Sequence, residues 1–239
     1  MNNYQFVDIL KQSFVAYLQT SARSNKKLKI LHKAIAEDLA ARLRAQGGSD
    51  FAVCAYGVGD GRERKIAGRY MEKAVDITIT MTNGKPVAGI AVKYIMSNYR
   101  QNSNNYFEQM LGETANIRSA KIPYFQIIAI PDSIPYYDRE GRIVNTECIS
   151  ERNLHKYVKL SEDDTDVYMH TPNKTLVYIV NLSSPDGTSP TTREDYRAQY
   201  LNHPFELRPS TQTHNFRSTV IYNDYEAFAA KVVYTILSM

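Results

Sequence analysis

The sequence predicts an α/β fold in which a mixed β-sheet is flanked by helices. Apolar residues recur every three or four positions near both ends of the chain, whereas the middle alternates apolar with polar residues or holds short apolar runs. The 239 residues are 43% hydrophobic and 23% charged, which excludes disordered, collagen-like and coiled-coil chains. We expect one domain over residues 1–239, made of an N-terminal helical pair (1–46), a core (51–182) and a C-terminal extension (183–239).

Two helices and a short strand are predicted at the start of the chain. A helix over residues 4–19 is favoured by an apolar stripe that consists of Phe6, Leu10, Phe14 and Leu18. A second helix is expected to begin after Ser24 or Asn25, either of which is a suitable cap, and to end before Gly47. Residues 51–56 are typical of a strand.

A β-hairpin is predicted around the Asn-Gly dipeptide at 83–84, which favours a tight turn. Before the turn, apolar residues alternate with polar ones, and Asp76 lies on the polar face. After the turn, residues 86–95 alternate again, and Lys93 shares its face with Ala91. The two side chains therefore stand on neighbouring strands.

The remaining elements follow from periodicity and from helix and strand breakers. We expect a polar segment at 97–105, a helix at about 104–118, a strand at 124–130 closed by Pro131 and Pro135, a helix at 150–160, a strand at 174–182, a loop at 183–193 and a helix at 224–238. Strands and helices that alternate in this order are typical of a mixed sheet covered by helices.

Charge permits a nucleic-acid partner without requiring one, since the formal net charge is only +4. Seven Lys and Arg residues lie in 23–44, and five lie in 62–73. These clusters are either solvated faces of a helix and a loop or a basic surface that contacts phosphate. The sequence leaves both interpretations open.

Metal sites built on cysteine or histidine are not predicted. The two cysteines, Cys54 and Cys148, form no CxxC pair, and the five histidines show no ligand spacing. Apolar runs are too short to cross a bilayer, and the first residues lack the pattern of a signal peptide. We therefore expect a cytoplasmic protein.

Asp76 and Lys93 are the residues that point to chemistry. Adjacent strands of a hairpin lie about 5 Å apart, so these two side chains converge if the turn lies at the Asn-Gly dipeptide. A carboxylate beside a lysine is a common means of holding a divalent metal and positioning a water molecule. Taken singly, Asp76 could instead pair with Arg69 or Lys73, and Lys93 could protect an edge strand.

The segment that holds these residues resembles the core of the PD-(D/E)xK nuclease superfamily and, within it, type II restriction endonucleases. The resemblance rests on the segments GRYMEKAVDITI, GIAVKY and NNYFEQMLGETAN. It implies a restriction-endonuclease-like fold with a catalytic core over 51–182, in which Asp76 is the first acid and Lys93 the lysine of the motif. Two positions depart from the pattern, because Val75 replaces the proline and Ala91 replaces the second acid.

The second acid of some superfamily members lies on the following helix, and by this resemblance Glu108 is the expected second metal ligand. Glu113 on the same helix is an alternative, and Glu72 is a further acid near the metal. The resemblance implies that Asp76 and Glu108 bind Mg²⁺, with Mn²⁺ able to substitute. Lys93 would position the attacking water and contact the phosphate.

The polar segment after Lys93 supplies candidate contacts to DNA bases. Asparagine and glutamine side chains bond adenine edges, and arginine bonds guanine. The candidates are Asn98, Arg100, Gln101, Asn102 and Asn104. The same residues could instead build turns and cap the helix that follows.

The function that the resemblance implies is Mg²⁺-dependent hydrolysis of double-stranded DNA by a type II enzyme of a restriction-modification system. A homodimer is expected, because two-strand cleavage at a palindromic site suits two-fold symmetry. Two alternatives stay open. One is a nuclease-like module that binds nucleic acid without cutting it, as Ala91 would suggest, and the other is a structural or assembly protein.

Overall fold

The computed structural model describes residues 1–20, 24–58, 61–185 and 187–239 of the chain. Arg23, a member of the first basic cluster, lies outside the described residues. Over the described ranges the chain forms a curled mixed sheet flanked by helices, so the predicted α/β class is confirmed.

Helices make up the outer layers. In the described residues they are α1 (Asn3–Gln19), α2 (Lys26–Ala45), α3 (Tyr99–Arg118), α4 (Glu151–Ser161), α5 (Arg193–Asn202) and α6 (Tyr225–Leu237). Among them, none combines the length and the apolar character that crossing a membrane requires.

The strands of the described residues form one large sheet and two hairpins. They are β1 (Phe51–Ala55), β2 (Arg64–Ala67), β3 (Glu72–Val75), β4 (Ile77–Met81), β5 (Pro86–Tyr94), β6 (Tyr124–Pro131), β7 (Ser133–Tyr137), β8 (Ile143–Cys148), β9 (Lys174–Leu182), β10 (Leu207–Pro209) and β11 (Val220–Tyr222). The seven-stranded sheet has the order β1-β4-β5-β6-β9-β10, and β11 also pairs with β9. Pairing is antiparallel from β1 to β5 and parallel from β5 through β6 to β9.

Helices cover both faces of this sheet. Alternate residues of β6 and β9 enter two apolar clusters, one beneath α1, α2, α5 and α6 and the other beneath α3 and α4. A third cluster includes Ala91 of β5 and Tyr124 of β6, and it packs the β2–β3 hairpin against α3. The C-terminal extension adds β10 and β11 to the same sheet.

The predicted hairpin at 83–84 is confirmed, with Gly84 at a φ of +84° between the antiparallel strands β4 and β5. The prediction of a single strand through Asp76 is wrong, because the chain bends at this residue and forms two strands, β3 and β4. The helix predicted at about 104–118 begins earlier than expected, since α3 starts at Tyr99 within the polar segment. The fully buried Tyr99 ring anchors this otherwise polar first turn.

Asn116 ties α3 to the β2–β3 hairpin. Its Oδ1 accepts hydrogen bonds from Tyr70 N at 2.9 Å and Met71 N at 3.3 Å, and its Nδ2 donates to Met71 O at 2.9 Å. Gly68 lies so close that a Cβ at this position would clash with the Asn116 side chain. The connection fixes the helix relative to the strand that leads into Asp76.

Replacing Asn116 with alanine should lower the free energy of unfolding by about 1–2 kcal/mol, because partly buried backbone groups lose their hydrogen-bond partners. Urea unfolding followed by circular dichroism measures this change. Asn105→Ala, at an exposed position of the same helix, should change stability by less than about 0.5 kcal/mol. Equal losses in the two variants would show that Asn116 does not hold the hairpin.

Candidate active site

Asp76 lies at the bend between β3 and β4, where the chain leaves the small hairpin and enters the large sheet. The β4–β5 register pairs Ile77 with Ile90, so Asp76 stands opposite Ala91. Val92 N donates a hydrogen bond of 2.7 Å to Asp76 Oδ2. The backbone of β5 therefore holds the carboxyl in place.

Lys93 follows Ala91 by two residues and shares its face of β5. Because β5 runs between β4 and β6, the interpretation of Lys93 as protection for an edge strand is wrong. Lys93 Nζ donates to Gln109 Oε1 at 3.3 Å and lies 5.1 Å from the centre of the Tyr106 ring. Both partners belong to α3, which covers this end of the strand.

Glu113 is the acid of α3 whose charge acts on the Asp76–Lys93 pair. Its Oε1 lies 2.6 Å from Lys73 Nζ, and its Oε2 accepts a hydrogen bond of 3.4 Å from the Tyr124 hydroxyl. The side chain is 21% exposed. Its negative charge acts on both Asp76 and Lys93.

Glu108, the acid that the resemblance favours, lies on another side of α3. Five residues separate it from Glu113, which corresponds to an angle of about 140° around a helix. Glu108 is exposed, and its charge acts on Lys156 of α4. The structure thus brings Glu113, the alternative acid, to the Asp76–Lys93 pair and turns Glu108 towards α4.

The Asp76 carboxyl binds a proton more tightly than an ordinary aspartate. Burial raises the pKa of Asp76 from 3.8 to about 6, and the charge of Glu113 adds to this rise. The hydrogen bond from Val92 and the charges of Lys93 and Lys73 oppose it. A carboxyl shifted in this way by burial and by charged neighbours is typical of functional sites.

The pKa values of the basic and phenolic groups around Asp76 are shifted as well. Burial lowers the pKa of the Lys93 ammonium, against the opposing charges of Glu113 and Asp76. Burial, with help from Glu113, raises the pKa of the Tyr124 hydroxyl well above its usual range, so it remains a hydrogen-bond donor at neutral pH. The centre therefore combines two carboxylates that can hold a cation with a lysine that can contact an anion.

A second group of side chains meets Asp76 from α2. His32, Glu63 and Asp76 each offer one ligand atom, and these three atoms lie within 4.8 Å of one another. His32 is fully buried, and burial lowers its pKa to about 4, against the opposing charge of Glu63. Its ring is therefore neutral at physiological pH. The sequence predicts no histidine metal site, because the histidine spacing gives no signal for this group.

Glu72, the further acid considered from the sequence, faces solvent on β3. Its Oε2 lies 3.4 Å from Lys65 Nζ across the β2–β3 hairpin. Glu113, and not Glu72, therefore contributes the second acidic charge acting on Asp76.

The candidate DNA-contacting residues occupy the first turns of α3 and the residue before it. Asn98 adopts a φ of 50°. Its side-chain Nδ2 donates to Tyr137 O at 2.9 Å, and its Oδ1 accepts from Tyr137 N at 3.1 Å, so its role here is structural. Asn102 Nδ2 donates to Asn98 O at 3.2 Å. Gln101 is exposed to solvent.

Arg100 and Asn104 line a polar pocket between α3, β8 and the start of α4. The pocket has a volume of about 600 Å³, and its walls also include Arg152 and Lys156. Lys156 Nζ lies 3.3 Å from Asn104 Oδ1. Three cationic side chains at one pocket provide a surface that an anionic backbone can approach.

Sequence reasoning missed Gln109 and Tyr124 as members of the site and considered Lys73 only as an ion-pair partner of Asp76. In the structure Lys73 pairs with Glu113. Gln109 precedes Glu113 by four residues on the same side of α3, a spacing that would have linked them. Tyr124 reaches the site from β6 through tertiary packing alone.

Comparison with known proteins leaves the family of this chain open. No family model matches it, and no significant match was found among curated proteins or solved structures.

Proposed function

We propose that this chain is a metal-dependent endonuclease that hydrolyses phosphodiester bonds of double-stranded DNA. The proposal is carried by the Asp76 carboxyl, which binds the β5 backbone at Val92 next to Lys93. The charges of Lys93 and Glu113 both act on this carboxyl. The PD-(D/E)xK pattern that the sequence resembles uses the same residue types, and Glu113 would supply the acid missing at Ala91.

Asp76 and Glu113 would hold Mg²⁺ or Mn²⁺, for which carboxylate oxygens are suitable ligands. When bound, such an ion makes water more acidic and offsets the charge of the phosphate. Lys93 donates to a non-bridging phosphate oxygen and orients the attacking water. The water oxygen forms a new bond to phosphorus, one ester P–O bond breaks, and the departing oxygen takes up a proton.

The substrate side of the proposal rests on charge. Arg100, Arg152 and Lys156 line one pocket beside α3, and Lys73 lies next to Glu113. These cations favour approach of a phosphate backbone to the same helix that carries Glu113. Recognition of a palindromic sequence by a homodimer, as in type II restriction, forms part of the proposal.

The test is to incubate the purified full chain with a large, sequence-diverse, unmethylated DNA in Mg²⁺, Mn²⁺ or EDTA. Discrete fragments that require the metal are the expected result. Intact DNA with retained, salt-dependent binding would overturn hydrolysis and favour the binding module. Intact DNA without binding would overturn the nucleic-acid assignment altogether.

Replacing each of the two acids of α3 in turn tests which one supplies the second carboxylate. Glu113→Gln should slow cleavage by about 10- to 100-fold, since it removes a charge that acts on Asp76 and Lys93. Glu108→Gln is the matched control on the same helix and should cleave at the wild-type rate. Initial rates at saturating metal measure both variants. The reverse pattern would assign the role to Glu108 instead.

A further inference from the structure

His32 of α2 is an anomaly in the core. Its side chain is fully buried, yet neither ring nitrogen has a hydrogen-bond partner among the residues that the structure describes. Burying a polar group without a partner costs free energy, so a buried imidazole is normally hydrogen-bonded or bound to a metal. The unpartnered ring nitrogens of His32 therefore indicate a bound ligand, such as a metal ion.

The imidazole is aimed at two carboxylates. One ligand atom each of His32, Glu63 and Asp76 lies within 4.8 Å of the other two. Donor atoms on opposite sides of an ion with bonds of about 2.1 Å are about 4.2 Å apart. Glu63 is exposed, so its side chain is free to rotate towards an ion shared with His32 and Asp76.

The donor chemistry selects a class of ion. Carboxylate oxygens alone suit Mg²⁺ and Ca²⁺, whereas an imidazole nitrogen is favoured by transition metals. Metal binding uses an unprotonated ring nitrogen, and both ring nitrogens of the buried His32 are without a hydrogen-bond partner among the described residues. One nitrogen and two carboxylates together suit Mn²⁺ and its neighbours in the first transition row better than Mg²⁺.

We propose that His32, Glu63 and Asp76 form a binding site for a divalent transition-metal ion such as Mn²⁺. The inference deepens the proposed function, because Asp76 also belongs to the catalytic centre. It adds ligands from α2 and from the segment before β2, outside the Asp76–Lys93–Glu113 group. It does not depend on DNA cleavage, since metal binding can be measured without DNA.

The experiment titrates the full chain, freed of metal with EDTA and dialysed, with Mn²⁺ or Mg²⁺ in a calorimeter. Wild type should bind Mn²⁺ more tightly than Mg²⁺. His32→Gln and Glu63→Gln should each weaken Mn²⁺ binding by at least about 10-fold. His32→Gln should also lessen the preference for Mn²⁺, whereas Glu63→Gln should affect both ions similarly. His155→Gln, at an exposed position of α4, is the control and should bind as wild type.

Pulsed electron paramagnetic resonance of bound Mn²⁺ provides a direct readout of nitrogen ligation. The ¹⁴N modulation expected in wild type should disappear in His32→Gln. If His32→Gln does not fold, the exposed Glu63→Gln variant and the wild-type ¹⁴N signal decide the matter. Wild-type Mn²⁺ affinity in Glu63→Gln together with no ¹⁴N modulation in wild type would overturn the proposal.

Failure of this inference is distinguishable from failure of the proposed function. A chain that binds Mn²⁺ through these three residues but leaves DNA intact would retain the site and lose the nuclease assignment. A chain that cleaves DNA while His32→Gln and Glu63→Gln bind Mn²⁺ as wild type would retain the nuclease and lose this site.

Discussion

Lys93→Ala is expected to slow DNA cleavage by about 100- to 1,000-fold, because it removes the proposed donor to a phosphate oxygen. Lys93 contacts Gln109 and Tyr106 from the middle of the sheet, and its position next to Asp76 is fixed by the β5 backbone. Single-turnover cleavage of labelled DNA measures the chemical step apart from product release.

Two controls accompany this variant. Lys85→Ala removes an exposed lysine from the turn of the same hairpin and should cleave at the wild-type rate. The thermal unfolding midpoint of Lys93→Ala should remain close to that of wild type, because the side chain is not part of an apolar cluster. Wild-type cleavage by a folded Lys93→Ala would remove Lys93 from the mechanism.

Asp76→Asn is expected to abolish cleavage and, at the same time, to stabilise the metal-free protein at pH 8. Asparagine keeps an oxygen for the hydrogen bond from Val92 but carries no charge to bind a cation. Because burial raises the pKa of Asp76 from 3.8 to about 6, the folded chain holds this proton more tightly than the unfolded chain. Ionisation of Asp76 therefore costs stability as the pH rises from about 4 to 6.

The size of this stabilisation follows from the rise in the pKa of Asp76. At about 1.4 kcal/mol per pKa unit, removing the charge should raise the free energy of unfolding by about 2–3 kcal/mol at pH 8. The gain should shrink as the pH falls below 6 and vanish below 3.8, where the carboxyl is protonated in both states. Urea unfolding in EDTA at several pH values measures it. A loss of stability at pH 8 would mean that the charged carboxylate already has compensating partners.

Local sequence patterns predicted those parts of the fold that depend on local signals. The spacing in α1 and α2, the Asn-Gly turn and the apolar runs of β6 and β9 each agree with the observed element. Helix α5 was missed because it is polar and buries tyrosines, although Thr192 and Asp195 form a capping box that could have revealed it. The β7–β8 hairpin is not predicted because proline at 135 indicates the end of a strand, whereas Pro135 lies within β7.

The same distinction applies to the candidate site, of which the sequence predicts only the parts that depend on local signals. Hairpin register alone predicted that Asp76 and Lys93 share a face, because alternation and turn position are local properties. The choice between Glu108 and Glu113 depends on how α3 is rotated against the sheet. The hydrogen bonds of Asn116 to the β2–β3 hairpin are tertiary contacts that fix this rotation. His32 was missed for a similar reason, since its neighbours Glu63 and Asp76 come from distant parts of the chain.

The most direct test of a metal-dependent phosphodiesterase centre at Asp76, Lys93 and Glu113 is one cleavage time course on a single unmethylated DNA with Mn²⁺. Wild type, Lys93→Ala and Lys85→Ala would run side by side, with EDTA as the blank. We expect discrete fragments from wild type and Lys85→Ala, and intact DNA from Lys93→Ala and from the blank. Intact DNA in every lane, or equal cleavage by Lys93→Ala, would contradict the assignment.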